Sequence, residues 1–169
     1  MASLSPPVCD FGLPAIDFDL PGVDGRRHTL ASARGPRGLL VMFICNHCPY
    51  VRHLRAGLAQ LAADYEPRGV GVVAINANDV DNYPDDSPAK MADEARRAGY
   101  TFPYLFDASQ KVAQAYRAAC TPDFFLFDAD RALATLCHDA LARATSERER
   151  RPWRIRLAKA ATRLGDLDA

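Results

Sequence analysis

The sequence predicts an α/β domain with a largely parallel sheet that helices cover on both faces. Residues 39–44 and 70–76 are continuous apolar runs, as in strands buried on both sides. A segment with helical periodicity lies between them. Strands that alternate with helices in this way indicate parallel strands joined by crossover helices.

Each element has its own signal. Residues 15–20 alternate apolar and polar side chains, PGVDG turns the chain and RRHTL runs back, so we expect a hairpin before the first buried strand. The next helix is predicted by apolar residues at spacings of three and four, before PRG ends it: Val51, Leu54, Leu58, Leu61 and Tyr65. A long polar loop, a helix at 89–98, a strand in TFPYLFD, a helix in SQKVAQAYRAA and a strand at 124–130 follow the second buried run.

The pattern changes after residue 130. Residues 131–169 are rich in Ala and Arg and contain no clear strand. We therefore expect one domain over residues 1–130 and an atypical tail over 131–169, for which a peripheral helix and a partly disordered segment both remain open.

Composition limits the class of protein. The 21 basic and 21 acidic residues balance, so no electrostatic footprint for nucleic acid is present. The first residues lack the pattern of a signal peptide, and no apolar run approaches the roughly 20 residues of a membrane span. We expect a cytoplasmic protein with neither nucleic acid nor membrane as a partner.

The chain has five cysteines: Cys9, Cys45, Cys48, Cys120 and Cys137. An odd number is not typical of a secreted disulfide framework. In a reducing compartment, a close pair such as Cys45 and Cys48 is more often catalytic or metal-binding.

This Cys-x-x-Cys pair stands where a predicted strand meets a predicted helix. Pro49 suits the first position of that helix, which puts Cys48 at or near the N-cap. The helix dipole favours an anion there, so the Cys48 thiol should ionise more readily than a free thiol, and His47 and Arg52 could support the thiolate. The arrangement predicts Cys48 as the nucleophile and Cys45 as its partner.

Two other interpretations of the pair stay open at this point. A structural zinc site needs about four ligands, and only one Cys-x-x-Cys pair is present, but Cys45, His47, Cys48 and Cys120 could hold a soft ion such as Cu(I). The cysteines could also be inert core residues. The redox interpretation is favoured, and with it we expect no metal and no organic cofactor.

A second signal lies at Thr121-Pro122, just before the last predicted strand. Proline cannot donate to a sheet ladder, so it belongs at the start or the edge of a strand. A cis peptide bond and a simple strand entry are both compatible with it.

Three stretches together resemble the redoxin branch of the thioredoxin-like superfamily, which includes peroxiredoxin-like and thioredoxin-like proteins. AIDFDLPGVDGRRHTL resembles its N-terminal hairpin, LLVMFICNHCPYV its active-site turn and TPDFFLFDAD its cis-proline loop. The resemblance implies a thioredoxin-like fold, with a central mixed sheet, helices on both faces and the hairpin as an extension. It also implies that the loop lies against the turn, which would bring Cys120 near Cys48.

The chain departs from the branch at informative positions. With Cys48-Pro49 placed on the branch's nucleophilic Cys-Pro, the resolving cysteine of a thioredoxin would fall on Val51. Cys45 stands where peroxiredoxins carry a threonine, and Pro122 about where they carry an arginine. These differences argue against an ordinary peroxiredoxin.

The expected function is therefore that of a thiol–disulfide oxidoreductase. Cys48 attacks a protein or small-molecule disulfide, Cys45 or Cys120 resolves the product, and Thr121 and Pro122 shape the substrate groove. Electrons would come from a thioredoxin- or glutathione-type reductant. The alternatives are a peroxiredoxin-like peroxidase with antioxidant activity and a Cu(I) carrier.

Overall fold

The computed structural model describes residues 14–129. The described chain begins with a hairpin, β1 (Asp19–Pro21) and β2 (Arg27–Thr29), and a one-turn helix, α1 (Leu30–Ala33). The remaining elements are β3 (Gly38–Phe43), α2 (Pro49–Tyr65), β4 (Val70–Asn76), α3 (Pro88–Ala98), β5 (Tyr104–Phe106), α4 (Lys111–Tyr116) and β6 (Asp123–Asp128). Single 3₁₀ turns occupy Glu66–Arg68 and Pro84–Asp86.

The central sheet is mixed, as the resemblance implied. Its strand order is β5-β4-β3-β6, with β3 parallel to β4, β4 parallel to β5, and β6 antiparallel to β3. Every residue of β3 is buried, because the strand is central and both of its faces are covered.

The two faces of the sheet carry separate apolar clusters. Leu40 and Met42 of β3 pack with residues of α2 and α3 on one face. Leu39 and Val41 pack on the other face with the hairpin, α1 and α4. Helices therefore lie on both faces, and the hairpin joins the second cluster.

The differences from the predicted elements are local. The first hairpin strand is Asp19–Pro21 rather than residues 15–20, and the predicted return strand ends at Thr29. Thr29 caps α1, since its hydroxyl accepts a hydrogen bond from the Ser32 amide at 3.2 Å, so the chain turns into a helix at Leu30. The predicted tail at 131–169 lies outside the described residues.

The helices of the described region are too short or too polar to cross a membrane.

Of the two buried strands, β4 has the predicted bounds and β3 differs by one residue at each end. Both parallel strands end at the same edge of the sheet. The turn after β3 and the long loop after β4 meet at that edge.

Candidate active site

Cys48 is the N-cap of α2, as predicted, and Pro49 is the first residue of the helix. The Cys48 side chain makes no hydrogen bond with the amides of the first helical turn, however. Its sulfur instead donates to the backbone oxygen of Thr121 at 3.2 Å. The thiol is thus held between the helix and the loop that leads into β6.

Cys45 contacts the same residue of that loop. Its sulfur lies 3.2 Å from the Thr121 hydroxyl oxygen, and either atom can donate. The Thr121–Pro122 peptide bond is cis, which resolves the alternative left open by the sequence. The implied contact between the proline loop and the active-site turn is therefore confirmed.

The two cysteines are free thiols with different environments. Cys45 is 1% exposed and Cys48 is 8% exposed. Burial raises the pKa of the Cys45 thiol, the hydrogen bond from Thr121 partly offsets this rise, and the negative charge of Asp86 adds to it. Cys45 is accordingly a protonated thiol at neutral pH.

Cys120 is a third free thiol, and it is exposed. Partial burial of its sulfur, the charge of Asp123 and the neighbouring Cys48 all raise the pKa of Cys120. Cys120 directly precedes Thr121, whose backbone oxygen accepts from the Cys48 thiol, so the loop brings Cys120 to the active-site turn.

A buried carboxylate that sequence reasoning missed lies beside the cysteines. Asp86 is 0% exposed, and one of its oxygens is 2.5 Å from Nδ1 of His47. The same oxygen accepts from the Asn78 amide at 2.8 Å, and the other accepts from the Asn46 backbone at 2.6 Å. The His47 ring stacks on Tyr83, with centroids 4.5 Å apart. The His47 ring is thus held at its Nδ1 edge by Asp86 and on one face by Tyr83.

The position of Asp86 follows from the topology. It belongs to the polar loop between β4 and α3, and loops after adjacent parallel strands meet at one edge of the sheet. The sequence contains this loop, but nothing in its spacing distinguishes Asp86 from Asp85, which is exposed. Only the folded chain selects between them.

Asn46, in the middle of the active-site turn, links the turn to the polar loop after β4 and to β5. Its side-chain amide donates to the backbone oxygen of Asp85 at 2.7 Å, and its side-chain oxygen accepts from the Tyr104 hydroxyl at 3.1 Å. Tyr104 is almost fully buried, and this burial raises its pKa well above the usual value. The neutral hydroxyl is therefore a constant donor from β5 to the turn.

Three possible metal ligands converge here, but they differ from the set expected from the sequence. Ligand atoms of Cys45, His47 and Asp86 lie within 4.8 Å of one another. Cys48 does not belong to this group of described residues, and Asp86 takes its place. A carboxylate oxygen is not the soft ligand that Cu(I) prefers, so the group fits that ion poorly.

Arg52, predicted as support for the thiolate, is exposed. Its backbone amide donates to the Cys48 oxygen at 3.0 Å. Its side chain lines a neighbouring cleft of about 210 Å³, whose other lining residues are Asn46, Arg55, Asp85, Lys90, Asp93, Glu94 and Arg97.

The architecture defines the class of protein. A Cys-x-x-Cys turn, a facing cis-proline loop and a mixed four-stranded sheet between helices make up a thioredoxin-like fold. The thioredoxin domain of a thiol-disulfide oxidoreductase from Bacteroides vulgatus superimposes with a TM-score of 0.62 at 14% identity, over 74% of this chain and 86% of that one. Within this class of fold, the AhpC/TSA family model matches residues 11–135, and the chain belongs to this family.

Closer relatives share more of the sequence. The chain is 31% identical over 106 residues to the thiol-disulfide oxidoreductase ResA of Geobacillus thermodenitrificans, which covers 63% of this chain and 56% of that protein. It is 49% identical to an uncharacterized conserved protein from Geobacillus kaustophilus of known structure, with a TM-score of 0.72 over 73% of this chain and 66% of the other. The chain thus spans little more than half the length of the curated relative.

Proposed function

We propose that this protein is a thiol–disulfide oxidoreductase in which Cys48 is the nucleophile and Cys45 the resolving thiol. The observation that carries the proposal is the convergence of both sulfurs on Thr121, next to a cis-proline. Similarity to ResA, a thiol-disulfide oxidoreductase by name, supports the same chemistry.

The first step is attack by the Cys48 thiolate on one sulfur of a substrate disulfide. A bond forms between Cys48 and that sulfur, the substrate S–S bond breaks, and the second substrate sulfur leaves with the electron pair and takes up a proton. Cys48 suits this step better than Cys45, because Cys48 is the more exposed thiol and the raised pKa of Cys45 keeps that thiol protonated.

In the second step, Cys45 attacks the Cys48 sulfur and releases the remaining substrate thiol. Cys45 must lose its proton to do so. The nearest acceptor is the His47–Asp86 pair, whose ligand atoms lie within 4.8 Å of the Cys45 sulfur, a separation that one water molecule bridges in the proposed proton transfer. The products are a Cys45–Cys48 disulfide and a substrate reduced by two electrons.

The cycle closes when a thioredoxin- or glutathione-type thiol reduces the Cys45–Cys48 disulfide. The substrate is a disulfide of a protein or a small molecule, bound against the loop of Thr121 and Pro122. A reducing compartment such as the cytoplasm suits this direction of exchange.

Turnover of a neutral model disulfide tests the proposal. With dithiothreitol as reductant, the wild-type protein should accelerate reduction of bis(2-hydroxyethyl) disulfide, and Cys48→Ser should abolish the acceleration. Cys45→Ser should slow turnover strongly, whereas Cys120→Ser should retain it if Cys45 resolves. Equal activity of wild type and Cys48→Ser would rule the mechanism out.

The two alternatives from the sequence have less support. For a peroxiredoxin-like peroxidase with antioxidant activity, the position three residues before Cys48 is Cys45 instead of threonine, and Pro122 stands near the position of the arginine. Peroxide consumption by the reduced protein, lost in Cys48→Ser, would favour that activity. For a Cu(I) carrier, the converging carboxylate of Asp86 is an unsuitable ligand.

A further inference from the structure

We propose that the reduced protein binds one zinc ion through Cys45, His47 and Asp86, and that the bound ion inhibits its thiol chemistry. Binding itself does not depend on the proposed function, whereas the inhibitory role rests on it. Among the described residues, this is the one group in which three possible metal ligands come together. The expectation of no metal was based on the cysteine pair, and Asp86 was not part of that pattern.

The three ligand atoms are of the kinds that zinc accepts. They are the sulfur of Cys45, a ring nitrogen of His47 and a carboxylate oxygen of Asp86. Magnesium and calcium prefer oxygen ligands alone, and Cu(I) prefers soft ones, so the mixed set favours zinc over these ions. Zinc also has no redox chemistry and therefore leaves the thiols reduced.

The three atoms are close enough to share one ion. They all lie within 4.8 Å of one another. A tetrahedral zinc ion, with bonds of about 2.0 to 2.3 Å, holds such atoms roughly 3.3 to 3.6 Å apart, so shifts of about 1 Å are needed. His47 can supply them, because its side chain is 36% exposed whereas Asp86 is fully buried. Its exposure also leaves a path by which the ion enters.

The charges of the buried ligands balance those of the ion. Cys45 is 1% exposed and Asp86 is 0% exposed. The thiolate and the carboxylate carry one negative charge each, and the imidazole is a neutral ligand. Their complex with Zn²⁺ is therefore uncharged, and paired or metal-bound charges are the ones that a protein interior tolerates.

Neighbouring groups already orient two of the ligands. The Thr121 hydroxyl lies 3.2 Å from the Cys45 sulfur. The Asn46 backbone amide and the Asn78 side-chain amide donate to the two oxygens of Asp86, at 2.6 and 2.8 Å. Hydrogen bonds of this kind direct ligands toward a metal and raise its affinity.

Cys48 is outside the group of converging ligands, and its sulfur donates to the Thr121 backbone oxygen. Water therefore occupies the fourth position of the ion. When zinc binds, a Zn–S bond replaces the S–H bond of Cys45, and the proton passes to solvent. The bound ion occupies the resolving sulfur and the proton acceptor, so the second step of the proposed mechanism is blocked while Cys48 remains able to attack.

Zinc titration of the full chain tests the site. The protein is reduced with a phosphine, desalted without oxygen and titrated in competition with a chromophoric chelator, and we expect one zinc ion per chain. Cys45→Ser and His47→Gln should each weaken binding by more than about a hundredfold, since loss of a ligand should exceed the tenfold to hundredfold loss of a group that only orients one. Cys48→Ser should bind like the wild type.

Each ligand has a matched control in the chain. Cys120→Ser, His53→Gln and Asp85→Asn alter exposed residues outside the ligand group and should leave the affinity unchanged. Asp86→Asn should weaken binding by at least about tenfold. Thermal unfolding without metal shows whether each variant folds, and His47→Gln provides the test if Asp86→Asn does not fold, because His47 is partly exposed.

Cobalt(II) in place of zinc supplies a spectroscopic signature. Its thiolate charge-transfer absorption should have the intensity of a single Co–S bond, disappear in Cys45→Ser and persist in Cys48→Ser. An intensity of two Co–S bonds, or equal loss of zinc binding in both cysteine variants, would mean an ordinary two-cysteine site and would overturn the proposal. Absence of stoichiometric binding, or binding that survives Cys45→Ser, would overturn it as well.

The inhibitory role is tested on the two steps separately. Zinc should slow release of thiol from the Cys48 mixed disulfide and leave the formation of that mixed disulfide unchanged, with bis(2-hydroxyethyl) disulfide as the probe. Zinc bound at the three ligands without slower release would overturn the inhibitory role. A protein that binds zinc there but whose Cys48 does not react with the disulfide would overturn the proposed function and leave the metal site standing.

Discussion

At the scale of the residue, the surroundings of Cys45 oppose its ionisation. Cys45 is almost fully buried, it is hydrogen-bonded to Thr121 and it faces the charge of Asp86. Burial and this charge both disfavour its thiolate. In the proposed mechanism, the same carboxylate, through His47, receives the proton that Cys45 loses.

These two roles of Asp86 predict opposite effects for one substitution. If Asp86 only suppressed the ionisation of Cys45, Asp86→Asn would speed the second step. We expect instead that loss of the acceptor slows it by about a hundredfold, the low end of general-base contributions. The rate of release of a thiol from the Cys48 mixed disulfide measures this step. Asp85→Asn, with a neutral substrate, is the matched control, and a faster second step in Asp86→Asn would contradict the account.

The raised pKa of Cys45 also predicts how stability depends on pH. Above about pH 8.5, the unfolded chain loses the Cys45 proton while the folded chain keeps it. The free energy of unfolding should therefore fall as pH rises from that value towards the folded-state pKa, and be unaffected by Cys45 below it. Urea titrations of the reduced protein at pH 7 to 10 measure this fall. Serine does not ionise in the range, so Cys45→Ser should flatten the decline, and an equal decline in both proteins would refute the assignment.

At the scale of the element, the loop before β6 organises the site. The backbone oxygen of Thr121 accepts a hydrogen bond from Cys48, and its hydroxyl shares a hydrogen bond with Cys45. One residue therefore contacts both sulfurs. The hydrogen bond to Cys48 does not depend on the Thr121 side chain, so a substitution can remove the contact with Cys45 and keep the contact with Cys48.

Thr121→Val keeps the β-branched shape and removes the hydroxyl. Because that hydroxyl lowers the pKa of Cys45, the variant should have a higher Cys45 pKa, and its second step should be slower at neutral pH. Loss of the bond should also lower the free energy of unfolding by about 1 kcal/mol. Alkylation of Cys45 against pH, in the Cys48→Ser background, measures the pKa.

Thr101→Val is the control for Thr121→Val, since Thr101 is exposed and its hydroxyl donates to Glu66, on the surface. It should leave the alkylation profile of Cys45 unchanged. A Cys45 profile unaltered in Thr121→Val would mean that the hydroxyl has no influence on this thiol.

At the scale of the whole molecule, sequence patterns predicted the framework better than the site's chemistry. The apolar runs and the helical spacing between them identified β3, α2 and β4 because burial of a continuous core determines those elements. These apolar patterns did not predict local hydrogen bonds. Thr29 turns the chain into α1 where a strand was expected, since a capping bond competes with the strand pattern.

In the site, too, some residues could be placed from the sequence and others could not. The helix-start signal of Pro49 placed Cys48 at the N-cap, and the resemblance placed Thr121 and Pro122 against it. Asp86 escaped prediction because its position depends on how a long loop folds over the edge of the sheet, which no local spacing encodes. Arg52 could be assigned to the helix but not to the cleft, since the direction of an exposed side chain depends on its neighbours.

The central claim is that Cys45 and Cys48 exchange between dithiol and disulfide. The most direct measurement is disulfide mapping of the full chain by peptide mass spectrometry, after oxidation by an equimolar neutral disulfide. The account predicts a Cys45–Cys48 bond as the main product, absent from the Cys48→Ser variant. A Cys48–Cys120 bond as the main product, or persistence of both Cys45 and Cys48 as free thiols, would contradict it.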